Sequence, residues 1–412
     1  MRRIGSISGF FDENLTVWKI SVPKRLLVPL LIVLVAKIAG AAFIYSIVNV
    51  QSLGTFWTDP TRLLSLEQNR VLLENAGSAG NLPYVFVGWD SAWYLSIMTR
   101  GYAFSPQSYA FSPGLPFFGG MFNFFLQNPV VSIALCALVF GVLWVPLYQL
   151  LTEKYVSRQA ALGSALLFAF SPYVFVFTTV AYSEGIFLFF TLSAWYLFTK
   201  GKVAYASVLA AIAALTRIVG ILVIVPMLYG SLRQKGTHRR RNVALSLLPI
   251  SALLLWLAYC QLTAGNWFAS FSTTQWSGLY SFRSLLFEAI PQKGVDALLM
   301  VPYQNWPTPP QLLLPAAIIC ALAIPPFLIW KAAKTDKSLA LYSLVTYVGV
   351  LFFGALVSTP RFFSVLFPLW IPLTAGLSGS KKSTALVSIV AAVFYAVALY
   401  LWISFLNGEF IS

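Results

Sequence analysis

The chain has 412 residues, of which 59% are hydrophobic and 9% charged, with a mean hydropathy of +0.79. So little polar surface excludes a soluble globular fold, and apolar runs near the length that crosses a bilayer recur along the chain. The formal charge of +15 does not point to nucleic acid, because the basic residues sit in short clusters between apolar runs, as the positive-inside rule requires. Cys136, Cys260 and Cys320 all fall inside apolar runs without CxxC spacing, so neither a disulfide framework nor a zinc site is indicated.

In chain order, Arg2, Arg3, Lys19, Lys24 and Arg25 precede a first apolar run that is too long for a secretory h-region. It reads as a retained first helix. Apolar length and charge place helices over 26–50, 129–151, 160–177, 183–199, 203–215, 218–230, 243–262, 311–330, 338–357, 362–377 and 384–406, about eleven transmembrane helices in an all-α polytopic protein. The fifth and sixth, at roughly 20 Å each, are too short to cross a core of about 30 Å singly. They predict a pair of short hairpin helices dipping in from the cytoplasm and turning at Thr216-Arg217.

With that hairpin, nineteen of the 27 Lys and Arg residues fall on the cytoplasmic side and six outside, with Lys37 and Arg217 within the membrane. Joining the pair into one long helix would put the cluster from Arg233 to Arg241 outside, against the charge rule. Most acidic residues, Asp90, Glu184 and Glu288 among them, fall on the extracytoplasmic side, so any carboxylate chemistry belongs to that face. Two long extracytoplasmic loops, 51–127 and 263–310, are rich in Trp, Tyr, Phe and Pro, and long loops on a membrane scaffold usually carry function. With no internal repeat and no Gly-rich phosphate loop, the chain reads as a single transmembrane domain, its N-terminus cytoplasmic.

Several residues stand out against their surroundings. Asp90, in Gly88-Trp89-Asp90-Ser91-Ala92-Trp93-Tyr94-Leu95, is a lone carboxylate among aromatic residues, and must be paired, solvated or used. It could equally cap, with Ser91, a short interfacial helix starting at Ala92, with Trp89, Trp93 and Tyr94 in an aromatic belt. Glu184 opens an apolar helix, where the dipole alone would favour an acid. Arg217 lies inside the membrane at a helical break and calls for a carboxylate or phosphate partner. Arg361 follows Pro360 at an outer helix start, where a cation opposes the dipole and favours a ligand. Lys37 pairs within the bundle with no role assigned, and His238, in the basic run Thr237-His238-Arg239-Arg240-Arg241, is a solvated loop residue.

Four segments together resemble the GPI mannosyltransferase II (PIG-V type) family. The first loop carries Trp89-Asp90, Arg100-Gly101-Tyr102 and Ala110-Phe111-Ser112-Pro113-Gly114-Leu115-Pro116, similar to that family's Trp-Asp, Gly-Tyr and aromatic Pro-Gly pattern. Then come Phe170-Ser171-Pro172 with Ala181-Tyr182-Ser183-Glu184, the turn Ala214-Leu215-Thr216-Arg217-Ile218-Val219-Gly220, and Thr359-Pro360-Arg361-Phe362-Phe363. Ile218-Val219 stands where Ser-Asn is expected, Trp93-Tyr94 where His-Phe is usual, and Ser112 where a second Phe is common. The Trp93-Tyr94 departure bears on the acceptor.

The resemblance implies a GT-C glycosyltransferase fold and transfer of mannose from dolichyl-phosphate or polyprenyl-phosphate mannose to a lipid-linked glycan or GPI-like glycolipid. On that expectation Asp90 is the catalytic base, Arg217 and Arg361 bind the donor phosphate, and Glu184, Ser91, Trp89, Trp93 and Tyr94 bind the acceptor or sugar. One carboxylate suffices because a phosphate leaves as a stable anion without a general acid. A single displacement inverts the anomeric centre, so a β-linked donor would give an α-mannoside. The scheme calls for no cofactor and no metal, and the sequence shows no metal-ligand cluster. The membrane is that of the endoplasmic reticulum in a eukaryote or the plasma membrane in a prokaryote, and a partner subunit is left open. A GT-C enzyme for another lipid-phosphate sugar is the nearer alternative. A transporter or lipid flippase, with Lys37, Glu184 and Arg217 as an intramembrane relay, is the other.

Overall fold

The computed structural model describes residues 14–17, 20–47, 82–272, 291, 313–353, 358–377 and 380–406. Apart from a short antiparallel pairing of Asn14–Val17 with Ile20–Pro23, which leads directly into the first helix, the described elements are helical. The all-helical polytopic class expected from composition is what the chain adopts. Among the described residues four helical stretches are long and apolar enough to cross a bilayer: Lys24–Ile47, Pro129–Thr152, His238–Ala264 and Lys381–Leu406. Others are shorter, among them Glu184–Thr199 and Val203–Thr216. Much of the second long loop, 263–310, lies outside the described residues.

The apolar runs located the helices and prolines broke them. The stretch 160–177, read as one helix, divides into Arg158–Phe170 and Pro172–Phe177, because Pro172 cannot donate into the preceding turn and pushes Ser171 to an extended ψ of 135°. The stretch 362–377 becomes three short pieces, Thr359–Ser364, Phe367–Leu369 and Trp370–Thr374, with Pro368 in the middle one. The expected turn at Arg217 is present. Val203–Thr216 ends there, Arg217 is extended, and the 3-10 segment Ile218–Val223 leads into Ile224–Leu232. A Cβ at Gly220 would lie 2.3 Å from the Ala213 carbonyl oxygen, so only glycine lets the chain fold back so closely.

Two glycines set the centre of the bundle. Pro129–Thr152, begun by Pro129 and capped by the Asn128 carboxamide accepting from Val131 N–H at 3.1 Å, presents Gly141 to the turn after Pro172–Phe177. A Cβ there would fall 1.8 Å from the Thr178 carbonyl oxygen. On Glu184–Thr199, a Cβ at Gly185 would meet the Gly141 backbone at 2.9 Å. Backbones in contact press the start of the second helix, with Glu184, against the first. The last helix, Lys381–Leu406, braces the other wall: Trp402 Nε1–H donates to the Val85 carbonyl at 2.7 Å and the Phe405 carbonyl accepts from Trp89 Nε1–H at 3.1 Å.

Candidate functional site

Four charged side chains from distant parts of the sequence meet in one cluster. Asp90 is the first residue of the helix Asp90–Arg100, and Glu184 the first of Glu184–Thr199. Arg217 stands at the hairpin turn, and Arg361 lies in Thr359–Ser364. Arg361 Nη1 donates to Asp90 Oδ2 at 3.3 Å, and its Nε lies 3.1 Å from Glu184 Oε1. The same Glu184 oxygen forms an ion pair with Arg217 Nη1. Glu184 is fully buried and bridges both arginines, while the Asp90 side chain, at 27% exposed, is the most open of the four. Two cations and two carboxylates balance in charge, which is what makes so much buried charge affordable.

Hydroxyls and rings complete the cluster. The Asp90 backbone N–H donates to Tyr182 Oη at 3.1 Å, Tyr94 Oη–H donates to Ser183 Oγ at 3.2 Å, and Arg217 Nη1 reaches the same Ser183 oxygen at 3.4 Å. The Arg361 guanidinium lies over Phe177, Tyr182 and Phe362 at 5.2, 5.2 and 4.9 Å, and Arg217 over Phe362 at 5.3 Å. Such stacking holds a planar cation while leaving its edge free to donate. Burial pushes the Asp90 carboxyl above the ordinary carboxylate range; Arg361 pulls it back and Glu184 adds to the rise.

Both acids stand in the first turn of their helices, where the dipole favours them, but neither helix has a side-chain cap bond at its N-cap. The helix expected from Ala92 starts two residues earlier, and its N-cap is Trp89, with no side-chain cap bond. Trp89 has φ 50° and ψ −118°, a strained conformation for a bulky residue, of the kind that collects at functional sites. Ser183, N-cap of the Glu184 helix, makes no side-chain cap bond either, its hydroxyl being turned to Tyr94 and Arg217. Ser91 is buried and its Oγ lacks a hydrogen-bond partner among the described residues, as does Glu184 Oε2.

Of the residues singled out in the sequence, Asp90, Glu184, Arg217, Arg361 and Tyr94 converge in this network. Trp89 is anchored to the last helix, and Trp93, 7% exposed, packs on Phe111 and Phe104 at 5.4 and 5.9 Å. Lys37 does not join Glu184 and Arg217 in a relay; its ammonium is bound by Phe175, Thr178 and Thr179. Sequence reasoning gave no role to Tyr182 and Ser183, although both immediately precede Glu184. Their signal was adjacency to a buried acid at a helix start, where a neighbouring hydroxyl is the nearest polar partner.

Fold and site together define an integral membrane protein with a buried carboxylate and arginine centre. The chain belongs to the mannosyltransferase (PIG-V) family, whose model matches residues 69–277, about half of the 412. It is 33% identical over 166 residues to the GPI alpha-1,6-mannosyltransferase 2 of Mus musculus, a match covering 36% of this chain and 33% of the mouse protein. The matched region thus spans about a third of that relative's length. Among solved structures, the chain is similar to the Archaeoglobus fulgidus oligosaccharyltransferase in its apo form, with a TM-score of 0.43 and 13% identity over 84% of this chain and 56% of that one. It is also similar to the oligosaccharyltransferase AglB of the same organism in complex with an inhibitory peptide and a dolichol-phosphate, with a TM-score of 0.42 and 13% identity over 87% and 55%. Arg361 lies beyond the family match, yet space brings it to the three charged residues inside that match.

Proposed function

We propose that this protein transfers mannose from a polyprenyl-phosphate or dolichyl-phosphate mannose donor to a hydroxyl of a lipid-linked glycan or GPI-like glycolipid, on the extracytoplasmic side of the membrane and with inversion. The observation that carries this reading is the Asp90–Arg361 contact at 3.3 Å, with Arg361 joined through Glu184 to Arg217. It puts a base beside two cations. Asp90 accepts the proton of the acceptor hydroxyl as its oxygen attacks the anomeric carbon. The bond from that carbon to the phosphate oxygen breaks, and its electron pair leaves with the phosphate. Arg217 and Arg361 stabilise the charge gathering on that leaving group, from a buried position where such donors are most effective. Glu184 fixes both guanidinium groups, so they need not reorganise during the reaction. Within the GT-C scheme the family implies, the sugar is mannose, and family membership favours it over other lipid-phosphate sugars.

The test is transfer from polyprenyl-phosphate mannose to mannose- or glucosamine-terminated lipid acceptors by protein purified in detergent. Asp90→Asn, keeping shape and losing the base, should lower kcat by about 10²- to 10⁴-fold with the fold intact. Equal transfer by the variant would remove Asp90 from the chemistry. Transfer of another sugar in place of mannose would assign the same site to a different donor.

A further inference from the structure

Lys37 lies at mid-helix in Lys24–Ile47, about 18 Å along it from Arg25, and is completely buried. Its Nζ donates to Thr179 Oγ1 at 2.7 Å, Thr178 Oγ1 at 2.8 Å and the Phe175 carbonyl at 3.2 Å. Three acceptors use all three N–H groups of an ammonium. Both threonine hydroxyls spend their own hydrogens on the Val174 and Phe175 carbonyls, at 2.6 and 2.5 Å, and so face Lys37 as acceptors. The ring of Phe175 adds a cation–π contact at 4.9 Å. A charge this deep in a span is costly to keep, and among the described residues its hydrogen bonds and its cation–π contact fall on one short stretch, 175–179.

That stretch opens the turn that delivers Phe177, Tyr182, Ser183 and Glu184 to the charged cluster. Gly141 packs under Thr178, and Ala181 N–H donates to the Phe86 carbonyl at 2.7 Å, four residues before Asp90. The turn is thus fixed by Lys37 from the first span, by Gly141 from the helix beneath it, and by Phe86 from the Asp90 loop. Of the three, Lys37 supplies the most hydrogen bonds, three from one fully buried side chain against one from Phe86. We infer that Lys37 is a positioning residue: its ammonium holds the 178–183 turn so that Glu184 and Tyr182 present Arg361, Arg217 and Asp90 in working geometry. The catalytic consequence rests on the transferase reading of the cluster; the structural one does not.

Lys37→Met keeps the bulk and deletes the bonds. Hydrogen exchange of the purified variant should show amides 178–186 exchanging about tenfold faster or more, the scale of bonds to a charged group, with the rest of Lys24–Ile47 unchanged. In the transfer assay kcat should fall by about 10- to 100-fold, as expected for a small misplacement of reacting groups, while KM for the donor changes little. Because Lys37 acts through Glu184, the loss in Lys37→Met/Glu184→Gln should be close to that of Glu184→Gln alone. Unchanged exchange at 178–186, loosening spread evenly along the first helix, or losses that multiply in the double variant would each overturn the inference. Thr178→Val/Thr179→Val, which leaves the lysine in place, should reproduce the exchange and kcat pattern and decides the matter should Lys37→Met not fold. Lack of transfer by the wild type would count against the transferase reading alone, since the exchange measurement is independent of turnover.

Discussion

At Asp90 two neighbours act in opposite directions, and this gives the proposed base a recognisable pH signature. Burial raises its carboxyl, Arg361 lowers it and Glu184 raises it. A base works only when ionised, so transfer should fall as pH drops through this raised value, giving an acid limb above the ordinary carboxylate range. Removing a nearby cation disfavours the carboxylate, so in Arg361→Gln the limb of the residual activity should move to higher pH. Removing a nearby anion favours it, so Glu184→Gln should move the limb lower. Profiles of kcat/KM against pH for the three proteins check this, and shifts of the same sign in both variants would mean that another group sets the limb. The four charged residues were legible in the sequence because a lone charge in an apolar setting has to be accounted for. Their pairing was not, since 271 residues separate Arg361 from Asp90 and only the packed bundle decides which acid meets which arginine. Tyr182 and Ser183 were less visible still: a hydroxyl near a helix start is ordinary, and it becomes informative only when its partner is known.

Among the elements, the contact of Pro129–Thr152 with the turn before Glu184–Thr199 bears most directly on the site. Gly141→Ala puts a methyl 1.8 Å from the Thr178 carbonyl oxygen, and because the obstacle is backbone the two elements must move apart. Overpacking of this kind costs about 1–3 kcal/mol. It should appear as a lower melting temperature together with reduced transfer, since Glu184 rides on the displaced segment. Gly376→Ala, with nothing within 4 Å of the new methyl, should alter neither measurement. Equal behaviour of the two variants would show that the close approach is not needed. The positions of the main helices could be read from apolar length, and the hairpin at Arg217 from charge distribution. The breaks at Ser171 and through 365–369 escaped because the apolar run continues across them, and in a membrane helix proline is tolerated wherever neighbours satisfy the freed groups. Lys24–Ile47, Pro129–Thr152 and Leu313–Thr335 do carry internal prolines without ending, so Pro172 and Pro368 could not be singled out by type alone.

On the scale of the whole molecule, charge is divided between two ends. Arg25, at the start of the first helix, pairs with Glu153, just after Pro129–Thr152, at 3.6 Å, so these ends lie on one side. Trp89 is tied to Phe405 in the last helix, and Phe405 is 24 residues from Lys381, about 36 Å at 1.5 Å per residue. That is close to the hydrocarbon thickness of a bilayer, roughly 30 Å. Asp90, next to Trp89, therefore sits a membrane's width from Lys381 and Lys382. We propose, from the positive-inside rule, that the lysine end faces the cytoplasm and the Asp90–Arg361 cluster the far side, where the proposed lipid-linked donor would be met. In a protein with Cys136, Cys260 and Cys320 replaced, Ala103→Cys, just after the helix that Asp90 opens, should react with a membrane-impermeant maleimide added to the extracytoplasmic side. Lys235→Cys, in the basic stretch between Ile224–Leu232 and His238–Ser246, should react only after permeabilisation. Both positions are exposed, so failure to label reflects sidedness and not burial. The reverse pattern would turn the molecule over and place the cluster in the cytoplasm. Labelling of both from one side would mean that the hairpin at Arg217 does not return the basic stretch to the side of Lys381.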